Sequence, residues 1–272
     1  MPTVFFAQIS DVHISELGDH HDLLAGQATQ FLTAAIEHLN QLETLDFVLF
    51  TGDLFDTASE WELAQFQKVV DQLLHPYHII PGNHDRREAE GSTGLTRHNF
   101  AQHFNPQIDQ RPSHPDSQVG YWSREIDPGV QLIGLDSIRD EDWGGMIDQV
   151  QFDWLKQELS QQSEKIVLVA IHHPLHSLAL IDNDPYYQRF VCDCGSKVSA
   201  LLEEHPQVKL VLTGHHHLTR VDNLDGRIHI AGPSLTIYPC AYRTIRLESQ
   251  AGSRPRISWQ THSILNGEMM TE

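Results

Sequence analysis

Val4-Phe5-Phe6-Ala7-Gln8-Ile9-Ser10-Asp11-Val12-His13 is an apolar run that stops on a carboxylate and an imidazole two residues apart. A run this short cannot form an amphipathic helix of useful length and reads as a strand buried on both faces. The same pattern recurs along the chain. Phe47 to Phe50 leads into Gly52-Asp53, Tyr77 to Ile80 into Gly82-Asn83-His84-Asp85, Ile166 to Ile171 into His172-His173-Pro174, and Val208 to Leu212 into Gly214-His215-His216-His217. In open α/β sheets, sites form beyond the carboxyl ends of strands, so clusters far apart in sequence are expected to meet there.

Between the first three runs lie stretches with apolar residues recurring at three and four, Leu23 to Leu42 and Ser59 to Leu74. The pattern returns at Val150 to Leu159 and Val198 to Leu202, and all four are expected helices. A second set of strand-like stretches comprises Val119 to Ile126, Val130 to Leu135, Arg227 to Ala231 and Tyr242 to Leu247. Turn signals such as Asp127-Pro128-Gly129 and Asp225-Gly226 make these expected hairpin partners. The rhythm of strand, helix, strand predicts an α/β sandwich of mixed sheets covered by helices. No linker or repeat interrupts the 272 residues, so one domain over 1–272 is expected, with 234–272 as a peripheral C-terminal strand and tail.

Against 37 Asp and Glu stand only 18 Lys and Arg, a formal net charge of −19. Binding a polyanion requires cationic side chains that neutralise several phosphates, so nucleic acid polymers and anionic membranes are not expected partners. A small-molecule phosphoester is compatible with this charge, because bound ions set the local field at a metal site. No segment approaches about 18 consecutive apolar residues and the amino terminus lacks a basic leader, so neither a membrane span nor a signal peptide is expected. The cysteines, Cys192, Cys194 and Cys240, form no disulfide framework, and a cytoplasmic protein is expected. Cys192-Asp193-Cys194 lacks the usual zinc spacing and reads as free thiols.

In extended backbone, residues two apart share a side, so Asp11 is expected to act with His13 and His215 with His217, while His216 faces away. Gly52, Gly82 and Gly214 precede the expected ligands, where a missing Cβ allows a tight turn and close approach of backbone to an anion. Pro174 favours an extended His173, which sets His172 and His173 on opposite sides. The residues alone leave open which of the two ligates.

The motifs DxH at 11–13, GD at 52–53, GNHD at 82–85, a histidine at 172 and GHxH at 214–217 resemble, in content and order, those of the calcineurin-like metallophosphoesterases. Leu135-Asp136-Ser137, Gly145 and Gln151 to Leu155 are similar to its class III branch of cyclic nucleotide phosphodiesterases and glycerophosphodiesterases. The resemblance implies a four-layer α/β/β/α sandwich of two mixed β-sheets flanked by helices. It further implies two metal ions per chain, one held by Asp11, His13, Asp53 and His217, the other by Asp53, Asn83, His172 and His215, with Asp53 bridging. By the same resemblance His84 is catalytic and contacts the phosphate, and Asp56 orients it. Asp56 is read equally well as the N-cap of a helix ahead of Thr57-Ala58-Ser59-Glu60.

A ligand set of imidazoles and carboxylates without thiolate suits Mn, Fe, Co or Zn, with Mn or Fe favoured. The expected function is dinuclear-metal-dependent hydrolysis of a small, cyclic nucleotide-like phosphodiester by a metal-bridging hydroxide. A phosphomonoesterase or nucleotide pyrophosphatase using the same site is the alternative within enzymes, since substrate choice lies in surrounding loops. A noncatalytic metal-binding scaffold of the same fold is the alternative outside them, and a homo-oligomer is compatible with either. Arg86 and Arg87 read as solvated loop cations or as a phosphate clamp. Residues 178–195 are expected to form part of the substrate rim.

Overall fold

The computed structural model describes residues 3–87, 93–104, 120–140, 142–249, 254–265 and 269–270. Strand β1 (Thr3–Ile9) and strand β2 (Phe47–Phe50) are buried on both faces, as their composition requires. Alternate side chains of a strand point to opposite faces. Val4, Phe6, Phe47 and Leu49 accordingly enter one apolar layer, while Ala7, Ile9, Val48 and Phe50 enter another. Each such side chain stabilises the fold by roughly 1.5–3 kcal/mol when fully buried.

β1, β2 and β3 (Tyr77–Ile79) pair in parallel. β10 (Ala241–Glu248), β11 (Arg256–Ser263) and β12 (Met269–Met270) extend that sheet antiparallel, giving the order β12-β11-β10-β1-β2-β3. The second sheet runs β4 (Trp122–Asp127), β5 (Val130–Gly134), β6 (Ile166–Ala170), β7 (Val208–Thr213), β9 (Arg227–Ala231), β8 (Arg220–Leu224). Its middle strands β5, β6, β7 and β9 are parallel, and β4 and β8 fold back as antiparallel edges. Helices α1 (Ala28–Leu39) and α2 (Glu60–Val70) cover the first sheet, with α3 (Arg97–Phe104) beside them. Helices α4 (Gln149–Gln161) and α5 (Gly195–Glu203) cover the second. One apolar layer lies between the sheets and one under each helical layer, so the molecule is an α/β/β/α sandwich as expected.

Several expectations change. Within 234–272, expected as a peripheral strand and tail, β10 lies inside the sheet between β11 and β1, because its alternating Ile245 and Leu247 complete the layer between the sheets. Tyr242 to Leu247 is therefore no partner of an upstream hairpin, and its hydrogen-bonded neighbours are β1 and β11. β8, α3, β11 and β12 are additions to the sequence reading. Val119, the expected start of a strand, lies outside the described residues. The N-cap of α2 is Ser59 and not Asp56, since only Ser59 has Glu62 three residues on to close a capping box.

Gln8 ties the functional end together. Its amide donates to Thr51 Oγ1 at 3.2 Å and to the Thr213 carbonyl at 2.9 Å, linking the ends of β1, β2 and β7 across the gap between the sheets. Among the described residues no helix is long and apolar enough to cross a membrane.

Candidate metal centre

Every expected ligand cluster follows one of the strands β1, β2, β3, β6 and β7, but the backbone there is not extended. Asp11, His13, Asp53, His215 and His217 take positive φ of 52°, 50°, 52°, 66° and 58°. Holding a residue with a Cβ in this region costs on the order of 1–2 kcal/mol, which surrounding contacts must offset. Those contacts are main-chain bonds between the clusters: Asp11 N–H donates to Gly52 O and His13 N–H to Asp53 O, both at 3.0 Å, and Gly214 N–H donates to His172 O at 2.9 Å. Asp11 and His13 still converge, through left-handed turns instead of the expected strand geometry.

The glycines serve these crossings. A Cβ on Gly82 would meet the Asp53 carboxylate and backbone, and one on Gly52 (φ 93°) would lie 2.5 Å from His172 Nδ1. The crowding comes from neighbouring ligand residues, so the missing Cβ at these glycines is what permits the clusters to cross so tightly.

Three groups of potential ligand atoms result, each with all atoms within 4.8 Å of one another: Asp11, His13, Asp53 and His217; Asp53, His172 and His215; and, toward the rim, His13, Asp56 and His84. Asp53 belongs to the first two. Its Oδ2 is 3.3 Å from His172 Nε2 and 3.8 Å from His13 Nε2. On the far side, His217 Nε2 lies 3.4 Å from Asp11 Oδ1 and 3.2 Å from His13 Nε2. His215 N–H donates to Asp11 Oδ1 at 3.0 Å, and His84 N–H to Asp53 Oδ1 at 2.9 Å, which holds both carboxylates in place.

Hydrogen bonds set the histidines at 172 and 173 apart. His172 Nδ1 donates to Thr51 O at 2.7 Å, which turns Nε2 to Asp53 Oδ2, 3.3 Å away. His173 has both ring nitrogens occupied, Nδ1 by Ser137 Oγ at 2.8 Å and Nε2 by Trp143 O at 3.1 Å. It is a structural histidine. His216 likewise turns away, donating to Asp182 Oδ1 at 2.7 Å.

The electrostatics favour cations. Burial opposes a charge on His172, yet the Asp53 carboxylate and then Asp11 outweigh it and raise the imidazole to about 9. Burial, reinforced by His84, pushes His13 down to about 3, and burial with His173 beside it holds His215 well below its ordinary value. His13 and His215 are thereby held neutral, as metal ligands must be. Asn83 Oδ1, His172 Nε2 and His215 Nε2 are buried without a hydrogen-bond partner. Such an orphan costs roughly 1–3 kcal/mol, and the donor set of imidazole, carboxylate and amide oxygen fits divalent ions that would satisfy it.

His84 stands at the rim with its side chain 39% exposed. Its Nδ1 donates to the main-chain oxygen of Asp56 at 2.8 Å and sits 3.6 Å from that residue's carboxylate, leaving Nε2 toward the cavity. Burial alone would lower His84, but Asp53 and Asp56 together raise it to about 9. The Asp56 carboxylate also accepts from Ser15 Oγ at 3.0 Å and lies 3.2 Å from His20 Nε2.

A cavity of about 660 Å³ opens over the cluster. Besides ligands and His84 it is lined by His20, His21, Trp143, Tyr186, Tyr187 and Phe190, among others. Three of these lie within 178–195, where the rim was expected; the density of aromatic residues at 186–190 was the available signal. Arg86 is no solvated cation: it is fully buried, 3.0 Å from Asp136 and 2.7 Å from Asp140. Asp85 holds the turn and the strand end beside it, accepting from Leu54 N–H at 2.7 Å, Phe55 N–H at 3.1 Å and Gly82 N–H at 2.8 Å. Cys192 and Cys194 are free thiols with sulfurs 3.4 Å apart.

Comparison with known proteins gives three likenesses. The chain is 29% identical over 224 residues to a probable glycerophosphodiester phosphodiesterase of Arcobacter nitrofigilis, covering 77% of this chain and 70% of that protein. It is 29% identical over 219 residues to a 3′,5′-cyclic-nucleotide phosphodiesterase of a Nostoc species, covering 79% and 71%. In fold it is similar to a dimetal phosphatase from Danio rerio, with a TM-score of 0.73 at 17% identity over 93% of this chain and 98% of that one. Residues 6–218 match the family described as calcineurin-like phosphoesterase. That match and the His/Asp groups sharing Asp53 indicate a dinuclear divalent metal site. From the strand-end motifs, the layered fold and this match over most of its length, the chain belongs to the calcineurin-like phosphoesterase family.

Proposed function

We propose that the chain hydrolyses a small phosphodiester at two divalent cations, one held by Asp11, His13, Asp53 and His217, the other by Asp53, Asn83, His172 and His215. The observation that carries this reading is the membership of Asp53 in two groups of ligand atoms, which is what a bridging carboxylate requires. The names of the two relatives, both phosphodiesterases, support the substrate class. When bound, such a pair supplies a hydroxide near neutral pH and positive charge for the non-bridging phosphate oxygens.

The chain's own residues do the rest. Asp11 and Asp53 carry the negative charge that offsets part of the cations, and a net positive field remains to attract the phosphate inside an acidic protein. His84, held by the Asp56 carbonyl, turns Nε2 toward the cavity, where it donates to a phosphate oxygen or delivers a proton to the departing alkoxide. Asp56 is a positioning residue, acting through His84 and His20. No covalent phosphoenzyme is required.

The test is turnover of bis(p-nitrophenyl) phosphate by protein loaded with Mn, Fe, Co or Zn, set against p-nitrophenyl phosphate. The reading expects the diester to be the better substrate and Asn83→Ala to abolish most of its turnover. Absence of diester turnover with all four metals overturns it, and a faster monoester reaction replaces it with a phosphomonoesterase.

A further inference from the structure

One wall of the cavity has no part in holding the metal pair. Trp143, Tyr186, Tyr187 and Phe190 form it, and their rings touch in series: Trp143 to Phe190 with centroids 5.2 Å apart, Trp143 to Tyr186 at 5.9 Å, and Tyr187 stacked parallel on Phe190 at 5.8 Å. The wall abuts the ligands, since Trp143 and Phe190 lie 5.8 and 5.5 Å from the His215 ring. Tyr186 is 59% exposed, so its ring is not spent on the core.

The wall is also braced. Arg189 packs 5.9 Å from the Trp143 ring centroid and pairs with Asp142 at 3.2 Å. Phe190 stacks on His216 at 4.5 Å, and His216 is held by Asp182, whose other oxygen accepts from Leu178 N–H at 2.7 Å and Ala179 N–H at 3.0 Å. Aromatic surface fixed in advance binds without an ordering cost at the moment of binding. His20, His21 and Asp22 line the same cavity and offer polar edges.

Fixed ring faces beside a phosphate site, with polar groups in the same cavity, suit a flat heteroaromatic group with a hydrogen-bonding edge. We propose that this wall is a subsite for the base of a nucleoside phosphodiester, and that it, and not the metal pair, sets a preference for base-bearing diesters over glycerol diesters. The inference rests on the proposed phosphodiesterase reading for where the phosphate sits. Base-on-aromatic stacking contributes about 1–3 kcal/mol per base, or roughly fivefold to a hundredfold in affinity. A glycerol group presents no face to stack.

Two measurements test it on Mn-loaded protein. The first compares KM for 3′,5′-cyclic adenosine monophosphate and for glycerophosphocholine in wild type, Tyr186→Ala and Tyr187→Ala. The expected result is a rise of roughly tenfold in KM for the cyclic nucleotide with kcat within about twofold, and no change for the glycerol diester. The second is calorimetric binding of adenosine 5′-monophosphate against glycerol 3-phosphate, where wild type is expected to prefer the nucleotide at least about tenfold and the Tyr186→Ala/Tyr187→Ala double variant to lose that preference. Equal effects on both diesters, or equal binding of both monophosphates by wild type, overturns the subsite. If no diester turns over at all, the phosphodiesterase reading fails by itself, and the calorimetry still decides the wall.

Discussion

His84 Nδ1 donates to the main-chain oxygen of Asp56, which fixes the orientation of the ring and leaves Nε2 to the cavity. If Nε2 donates to the reacting phosphate, His84→Asn should lower kcat by about 10²- to 10³-fold while two ions per chain remain by elemental analysis. Loss of ions in step with activity would reassign His84 to metal binding. The histidine and its motif were legible in the sequence. Its support was not, because a carbonyl carries no residue signature: the sequence offered Asp56 as a carboxylate or a cap, and the fold uses its main chain first. Arg86 shows the same limit. Nothing local in Asp85-Arg86-Arg87 distinguishes a solvated loop from a buried ion pair, since the deciding partner, Asp136, lies fifty positions on. Arg97 Nε also reaches Asp136 at 3.0 Å, so Arg86→Ala removes one of two cationic partners and should cost about 1.5–3 kcal/mol in urea unfolding; a change under about 0.5 kcal/mol would show Arg97 to suffice.

At the level of elements, the strands that carry the site were the easiest to read, because continuous apolar runs ending in polar clusters admit few alternatives. β8 escaped detection, since Arg220 to Leu224 is an edge strand with polar residues and no alternation. β10 was recognised as a strand but misplaced, because composition does not tell a central strand from a peripheral one. β3 carries its own prediction. His78 sits between Phe47 and Trp122, and burial, aided by the nearby Arg124 guanidinium, lowers it to about 4. An unfolded histidine titrates near 6.5, so between that value and 4 the unfolded chain takes a proton that the folded chain refuses. Its contribution is complete above about pH 6.5 and is lost as pH falls toward 4, amounting to roughly 2–3 kcal/mol. Thermal unfolding midpoints of wild type should therefore fall more steeply over this window than those of His78→Gln; parallel profiles would refute the assignment.

The whole molecule brings three ligand-bearing strands of one sheet against two of the other, so the site exists only where both sheets end together. Gln8, bridging Thr51 and Thr213, shows how short that junction is. The sequence announced this convergence through its five repeated endings, and left the substrate side unread, because the aromatic wall is assembled from loops whose paths depend on distant partners such as Asp142 and Asp182. The proposed cation pair would confine the attraction for a phosphate to one cradle in a chain of net charge −19. The central claim is that Asp53 bridges two cations there. Anomalous diffraction from crystals grown with Mn tests it most directly. The account predicts two peaks per chain, both within coordinating distance of the Asp53 carboxylate, one beside His13 and His217 and the other beside Asn83, His172 and His215; a single peak, or a pair in which Asp53 reaches only one, would contradict it.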